Sequence, residues 1–262
     1  MTVQDLGPVG TATRSRKTIE IVIGVLLFAS AWEIIGRTGV LSTSWPPLTD
    51  VLWVIVDPAR APRLWGALGV TVQEGLLGGV IGISAAVATA VLSRLMPVTR
   101  RPAERFAVLV EAVPVVALGP LLMVLLPRAV VPAALAATAA YFAAFVVICS
   151  ALWTRRAAQE DLFAVLGARR IAVLAQLEAP AALPAVFAAL QLAIPAALLG
   201  AVIGEWVGAS GGLGLMMVEA NARMRADLLF AALAVLAAAT LTLRSLVDAL
   251  TRRLVFWVED LD

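Results

Sequence analysis

Apolar residues form six long runs along the chain, and most polar residues lie between them. A helix needs about 20 mostly apolar residues to cross the hydrocarbon core of a bilayer. Two of the runs hold 26 residues without a single charge, so they are long enough to span it. The runs cover residues 19–35, 75–93, 106–126, 129–154, 179–204 and 228–243, and the last can extend to about residue 250.

Each run is continuous, whereas strands of a membrane barrel alternate apolar and polar residues over about 10 positions. Backbone groups in lipid must also be satisfied within their own segment, which favours helices. We therefore predict an all-α, polytopic membrane protein with about six transmembrane helices. The composition agrees, because 61% of the residues are hydrophobic, 15% are charged and the mean hydropathy is +0.96, against about 45–50% and 25% in soluble domains.

The distribution of Lys and Arg predicts the orientation, because cytoplasmic loops of membrane proteins are enriched in both. With the N-terminus in the cytoplasm, 14 of the 20 Lys and Arg residues lie inside and six outside. An even number of spans then returns the C-terminus to the cytoplasm. The first apolar run follows a basic tail and shows no cleavage pattern, so we interpret it as a retained span.

Several kinds of chemistry are excluded by what the sequence lacks. It contains no histidine and a single cysteine, Cys149, so we expect no metal site and no disulfide within the chain. No Gly-x-x-x-x-Gly-Lys-Ser/Thr phosphate-binding loop is present, so the chain is not expected to hydrolyse ATP by itself. The net charge of +2 gives no reason to expect nucleic acid as a partner.

The predicted cytoplasmic loop at 155–178 carries a short apolar ridge formed by Leu162, Phe163, Val165 and Leu166. No lipid covers this side, so an exposed ridge indicates a docking partner. Gly167 allows the chain to turn directly after the ridge. The alternative is a loop that folds back onto its own helix bundle.

Two predicted outer loops have distinctive sequences. In the first, Pro46-Pro47 precedes a short helix that Thr49 or Asp50 can cap, with Leu52, Trp53 and Val56 at the membrane interface. In the second, four glycines within seven residues, at 208, 211, 212 and 214, predict a tight turn or re-entrant segment rather than a lipid-facing helix.

A few polar or aromatic side chains within the spans are candidates for the substrate pathway or its gate: Glu111, Tyr141, Gln191, Glu205 and Trp206. Each has an alternative role. Glu111 can pair with Arg101 or Arg105, Gln191 can bond a neighbouring helix, and Tyr141 can simply pack. No Lys or Arg lies at mid-membrane in the first five spans, which favours a neutral or cationic organic substrate over an anion.

The loop also resembles the cytoplasmic signature of bacterial ABC importer permeases, which reads Glu-Ala-Ala, three residues, Gly, nine residues, Ile-x-Leu-Pro. Here Asp161, Leu162 and Phe163 replace Glu-Ala-Ala, and Gly167 matches the glycine. Leu177, Ala179 and Pro180 fill the final positions, and Pro184 completes a common Pro-x-x-x-Pro form. Residues 19–257 are similar to the sulfonate, taurine, nitrate, riboflavin and thiamine-precursor branch, including 204–214 and the tail at 252–257.

The resemblance implies a type I ABC importer permease fold and a transport subunit in the bacterial inner membrane. It implies a second, identical permease subunit, two ABC ATPase subunits that bind ATP and Mg, an extracytoplasmic substrate-binding protein and surrounding lipid. The domain is expected at 19–257, between tails at 1–18 and 258–262, with the ATPase-coupling loop at about 155–180. The implied coupling residues are Asp161, Leu162, Phe163, Leu166, Gly167, Ala168, Arg169, Leu177, Pro180 and Pro184.

The sequence at 204–210 most resembles that of the thiamine-precursor pyrimidine relatives, which favours that substrate or riboflavin over sulfonate or nitrate. Two other classes of function fit the sequence less well. A secondary transporter or channel needs matching halves with broken helices, and no internal repeat is evident. An intramembrane enzyme needs catalytic pairs that this sequence lacks.

Overall fold

The computed structural model describes residues 10–40, 44–99, 101–103, 105, 114–153, 162–163 and 165–254, and for residues 10–18 and Pro97 only the backbone. Within these ranges the chain is helical and contains no strand. The α-helices are α1 (Gly10–Thr38), α2 (Leu48–Val56), α3 (Ala61–Leu95), α4 (Val115–Leu125), α5 (Val131–Trp153), α6 (Arg170–Val173), α7 (Ala179–Gly208), α8 (Leu213–Ala222) and α9 (Ala226–Leu254). A π-turn at Leu174–Glu178 joins α6 to α7.

In the described part of the chain, five helical segments are long and apolar enough to cross a membrane. They are Ile19–Thr38, Ala61–Leu95, Arg128–Trp153, Arg170–Gly208 and Ala226–Leu254. Of the predicted third span, the structure describes the 11-residue helix α4, and residues 106–113 lie outside the described residues. The predicted second span was too short, since α3 begins 14 residues earlier than expected.

The chain forms two compact units, and the first consists of residues 1–61 and 220–231. Aromatic packing organises this unit. Trp32 lies 5.3 Å from Trp45 and 5.7 Å from Phe230, measured between ring centroids, and its indole N–H donates to the Pro46 carbonyl at 3.1 Å. Gly36 lies against Pro47 so closely that a Cβ would meet the proline Cα at 2.5 Å. These contacts anchor the Pro46-Pro47 segment on α1.

The expected cap of α2 was wrong. Pro47 occupies the N-cap position, and its carbonyl accepts the N–H groups of Asp50 and Val51 at 3.1 and 3.3 Å. Thr49 instead donates its backbone N–H and its hydroxyl to the Glu33 carboxylate, at 3.0 and 2.9 Å. A carboxylate on α1 competes for the threonine hydroxyl, which the local sequence around α2 does not reveal.

The second unit, residues 62–219 and 232–262, has a core of small side chains. Helices α3, α5 and α7 pack against one another, and alanines dominate the buried positions where they meet. Glycines permit this close approach. A Cβ at Gly78 or Gly82 of α3 would overlap backbone atoms of α5, and a Cβ at Gly200 of α7 would meet the Leu135 carbonyl at 2.7 Å. Small residues at helix interfaces are typical of membrane bundles, because lipid supplies no hydrophobic force between helices.

The glycine-rich segment breaks the helix as predicted, although the break is shorter than expected. Helix α7 continues through Gly208, and α8 starts at Leu213 with Gly214 in its first turn. Only residues 209–212 are non-helical. Gly212 has a φ of +99°, a conformation that favours glycine.

The packing of α3 on α5 can be tested with two alanine substitutions in the same helix. A Cβ at Gly82 would lie 2.9 Å from the backbone nitrogen of Tyr141, whereas nothing lies within 4 Å of a Cβ at Gly69. Overpacking costs about 1–3 kcal/mol, and each kcal/mol shifts the melting temperature of a protein this size by about 2–4 °C. We expect Gly82→Ala to lower the melting temperature in detergent by several degrees.

Gly69→Ala is the matched control, since it adds the same methyl group and the same gain of about 1 kcal/mol in helix propensity. Its melting temperature should stay equal to the unaltered protein or rise. Equal melting temperatures for the two variants would contradict the close contact between α3 and α5.

Candidate coupling segment and membrane pathway

The predicted apolar ridge is exposed in the structure. Leu162, Val165 and Leu166 have 59%, 85% and 71% of their surface accessible, while Phe163 is half-buried. Asp161, the first predicted residue of the motif, lies outside the described residues. The exposed side chains make this segment a candidate docking surface.

The ridge ends in a tight helix terminus at Gly167. This glycine has a φ of +68°, and the N–H of Ala168 donates to the Phe163 carbonyl at 3.0 Å. That bond together with the left-handed glycine is the Schellman arrangement of a helix end. The predicted turn at Gly167 is therefore confirmed, and it sets the direction in which the ridge points.

The rest of the predicted motif leads from the ridge into the bundle. Arg169 is exposed and precedes α6 as its N-cap residue, Leu177 is half-buried in the π-turn, and Pro180 lies in the first turn of α7. Pro180 has no N–H to offer the carbonyl four residues earlier, so the π-turn lies where the regular bonding is already interrupted. Pro184 is half-buried within α7.

A buried ion pair at the start of α7 was missed by the sequence analysis. Glu178 is only 6% exposed, and its carboxylate pairs with the Arg94 guanidinium near the end of α3. A carboxylate inside an apolar stretch needs a partner, because burying an unpaired charge is costly. That argument could have singled out Glu178, although it could not have named Arg94, 84 residues away.

Glu205 is fully buried and holds the glycine-rich turn. Its carboxylate accepts the Thr71 hydroxyl of α3 at 2.6 Å and the backbone N–H of Gly214 in α8. The Thr71 oxygen in turn accepts the N–H of Leu213 at 2.8 Å. Glu205 thus accepts a backbone N–H at the N-terminus of α8 directly from Gly214 and supports a second, that of Leu213, through Thr71, as a side-chain cap does. Thr71 is a second residue that sequence reasoning missed.

The same carboxylate explains two of the glycines. A Cβ at Gly212 would overlap the carboxylate oxygens of Glu205, and a Cβ at Gly214 would lie 2.8 Å from one of them. A Cβ at Gly211, by contrast, would have Val70 as its nearest neighbour, at 4.0 Å. The turn therefore needs glycine for its fit around Glu205 as well as for its backbone conformation.

The remaining pathway candidates lie apart from one another. Tyr141 packs on Phe142 and Phe145 at centroid distances of 4.9 and 5.4 Å. The Gln191 amide of α7 donates to Asp248 of α9. Trp206 is 48% exposed, and Glu111 lies outside the described residues. Among the described candidates, Tyr141 and Gln191 therefore have separate partners.

An apolar crevice of about 200 Å³ lies between α3, α7 and α9. Its wall includes Gly75 and Gly79 of α3, Ala193 and Ala197 of α7, and Leu246 of α9. The four described pathway candidates are absent from its lining, although Leu190 and Val247 place it beside the bonded pair Gln191 and Asp248. Within the described residues, no group of three or more acidic or cysteine side chains is arranged to hold a metal ion.

The fit of the turn around Glu205 can be tested with neighbouring alanine substitutions. A left-handed backbone costs a non-glycine residue about 1–2 kcal/mol, and a methyl group at Gly212 also displaces the carboxylate. We expect Gly212→Ala to lower the melting temperature by several degrees and to expose residues 209–212 to added protease. Gly211→Ala, at the open neighbouring position, should leave both measurements unchanged. Resistance of both variants to the protease would contradict this role of Glu205.

Comparison with known proteins identifies the family. Residues 78–260 match the family described as binding-protein-dependent transport system inner membrane component. A probable ABC transporter permease protein of Haemophilus influenzae is 31% identical over 250 residues, which cover 91% of this chain and 96% of that protein. The riboflavin transport system permease protein RibX of Chloroflexus aurantiacus is 34% identical over 149 residues, 56% of this chain and 55% of RibX.

The fold has a counterpart among solved structures. A chain of the inward-facing MetNI methionine ABC transporter matches this one with a TM-score of 0.60 at 19% identity. The match covers 77% of this chain and 96% of that chain. The helical architecture is therefore that of an ABC importer permease. Together with the family match, it shows that this chain belongs to the binding-protein-dependent inner-membrane transport components, the multi-pass permease subunits of ABC importers.

Proposed function

We propose that two identical copies of this permease form the pathway of an importer for a small, neutral or cationic organic nutrient, and that residues 162–170 dock onto its ATPases. A thiamine-precursor pyrimidine or riboflavin is favoured over sulfonate or nitrate. Two ATPase subunits supply ATP hydrolysis, and a binding protein delivers the substrate from outside. The observation that carries the proposal is the exposed apolar ridge at Leu162, Val165 and Leu166, which ends at Gly167.

Three features support docking at this ridge. Its side chains are apolar yet accessible to solvent, which is costly unless a partner covers them. The Schellman terminus at Gly167 fixes their direction. After Gly167, the two non-helical residues 168 and 169 lead to Arg170, from which the helix runs continuously through the π-turn to Gly208, so a force on the ridge is passed to a membrane span through a short link.

The distribution of charge supports an orientation with both termini in the cytoplasm. The inner side then carries 14 of the 20 Lys and Arg residues, including those of the docking segment. The turn at 209–212 lies on the outer side in this arrangement. The permease domain comprises residues 19–257, between the tails at 1–18 and 258–262, and Asp161, the first residue of the proposed coupling motif, directly precedes the docking segment.

The substrate class is supported by charge and by kinship. The runs at 129–154 and 179–204 contain no basic residue that would attract an anion, and the crevice that the second run helps to line is apolar. RibX, which shares 34% identity over 56% of this chain, is named for riboflavin transport. The proposed residues of the substrate pathway or its gate are Glu111, Tyr141, Gln191, Glu205 and Trp206.

Docking can be tested by adding one charge to the ridge. Burying a leucine contributes about 1.5–3 kcal/mol, and a charge in an apolar groove costs more. We expect Leu166→Asp to abolish co-purification of the cognate ATPase and to stop transport. Gly167→Val should retain the ridge but misdirect it, so transport should fall more than ATPase association.

Met224→Asp is the matched control for Leu166→Asp. Met224 is 80% exposed, lies in the turn before α9 and has a left-handed φ of 54° that aspartate tolerates. It should retain the ATPase in full, because the proposed orientation places it outside. Normal ATPase association of Leu166→Asp would favour the loop that packs only on its own bundle.

Substrate uptake tests the remaining part of the proposal. The permease and its ATPases are reconstituted in liposomes. The binding protein is added on one side of the membrane, and ATP is supplied on the opposite side. Radiolabelled riboflavin, the hydroxymethyl pyrimidine precursor of thiamine, and taurine are then offered separately. We expect uptake of one of the first two and none of taurine. Uptake of taurine alone would contradict the proposed substrate class and leave the docking result unaffected.

A further inference from the structure

Helices α3 and α7 are tied together by polar side chains at both ends. At one end Arg94 of α3 pairs with Glu178, the last residue of the π-turn before α7. At the other end the Thr71 hydroxyl of α3 donates to Glu205 of α7 at 2.6 Å. Beside Thr71, the Glu74 carboxylate of α3 also hydrogen-bonds to Glu205, so the polar links between the helices lie at two separate levels.

The ties lie far apart along the helices. At about 1.5 Å per residue, Thr71 and Arg94 are about 35 Å apart along α3. By the same measure, Glu178 and Glu205 are about 40 Å apart along the π-turn and α7. Both distances exceed the hydrocarbon thickness of about 30 Å. Between the ties, Gly79 leaves room for Ala197 of α7 to approach within 3.5 Å of its Cβ position. The two helices are therefore linked at two levels and in contact between them.

The Arg94–Glu178 tie lies directly behind the docking segment. The π-turn that carries Glu178 follows α6, and Leu174 within it is buried in the core. The side chain of Glu178 is 7% exposed and that of Arg94 is 29% exposed, so solvent screens the pair only in part. Removing one partner leaves the other charge buried and unpaired, which destabilises the local structure.

We propose that Arg94 and Glu178 are positioning residues that transmit movement of the docking segment to α3. A displacement of residues 162–170 by the ATPase then moves α3 and α7 together, and the Thr71–Glu205 tie carries the movement to the outer turn at 209–212. The inference rests on the proposed docking role of the ridge. It adds that, without this pair, movement of the docking segment reaches α7 but not α3. Helix α7 then shifts against Thr71, and the turn that Thr71 and Glu205 hold no longer responds to ATP as it does in the intact protein.

The test reads the outer turn directly and needs no known substrate. Cys149, the one cysteine of the sequence, is replaced by alanine, and the exposed Ser210 is replaced by cysteine as a reporter. The labelling rate of this cysteine by a charged maleimide is measured in nanodiscs that hold the permease with its ATPases. The rate is compared without nucleotide and after trapping with ATP and orthovanadate.

We expect trapping to change the labelling rate when the pair is intact, and Arg94→Gln or Glu178→Gln to suppress that change while the ATPases stay bound. Coupled sites typically alter each other's equilibria by roughly 5- to 150-fold, so the change should shrink at least about fivefold. The charge swap Arg94→Glu with Glu178→Arg should restore it. Arg37→Gln breaks a different ion pair, with Glu33 in α1, and should have no effect.

Two results would overturn the proposal. One is a full nucleotide-dependent change in both single variants. The other is a charge swap that folds and binds ATPase yet fails to restore the change, which would leave the pair a purely structural role. If the single variants melt too early to purify, the swap alone decides. Loss of docking is recognised separately, because Leu166→Asp loses the ATPase whereas Arg94→Gln keeps it.

Discussion

Close approach of α3, α5 and α7 is the constraint on which the rest of the described structure depends. Glycines at 78 and 82 of α3, and at 200 and 204 of α7, let these helices come into backbone contact with α5. Only at this separation can short side chains reach between helices. Thr71 meets Glu205 because α3 and α7 are drawn against the same thin alanine-rich core. Polar ties within the membrane are thus a consequence of small-residue packing.

The polar ties in turn decide where the backbone can leave the helix. Four donors at the start of α8 would be unsatisfied in an apolar setting, and Glu205 accepts one of them directly and a second through Thr71. A non-helical stretch of four residues is tolerated because protein groups replace the water that is missing. The glycines at 212 and 214 are then required by the carboxylate that stabilises them.

The sequence predicted the elements well and their contacts poorly, for a physical reason. Long apolar runs locate spans because burial in lipid depends on local composition, and Gly167 marked a turn because its backbone preference is local too. Pairs such as Arg94 with Glu178, or Thr49 with Glu33, join residues that are 84 and 16 positions apart. Their partners depend on which helix faces meet, and a single sequence records that only indirectly.

Glu178 shows how far such reasoning can still reach. Its neighbours along the chain are apolar, so the acid looks misplaced until burial is considered. A buried carboxylate next to the docking segment needs a partner, and a cation on a neighbouring helix can supply one. Because α3 ends with its arginine at the same level as the π-turn, the pair forms where a span meets the segment proposed to contact the ATPase. Glu178, whose charge is costly to bury without a partner, therefore lies where the proposed movement of the docking segment reaches a membrane span.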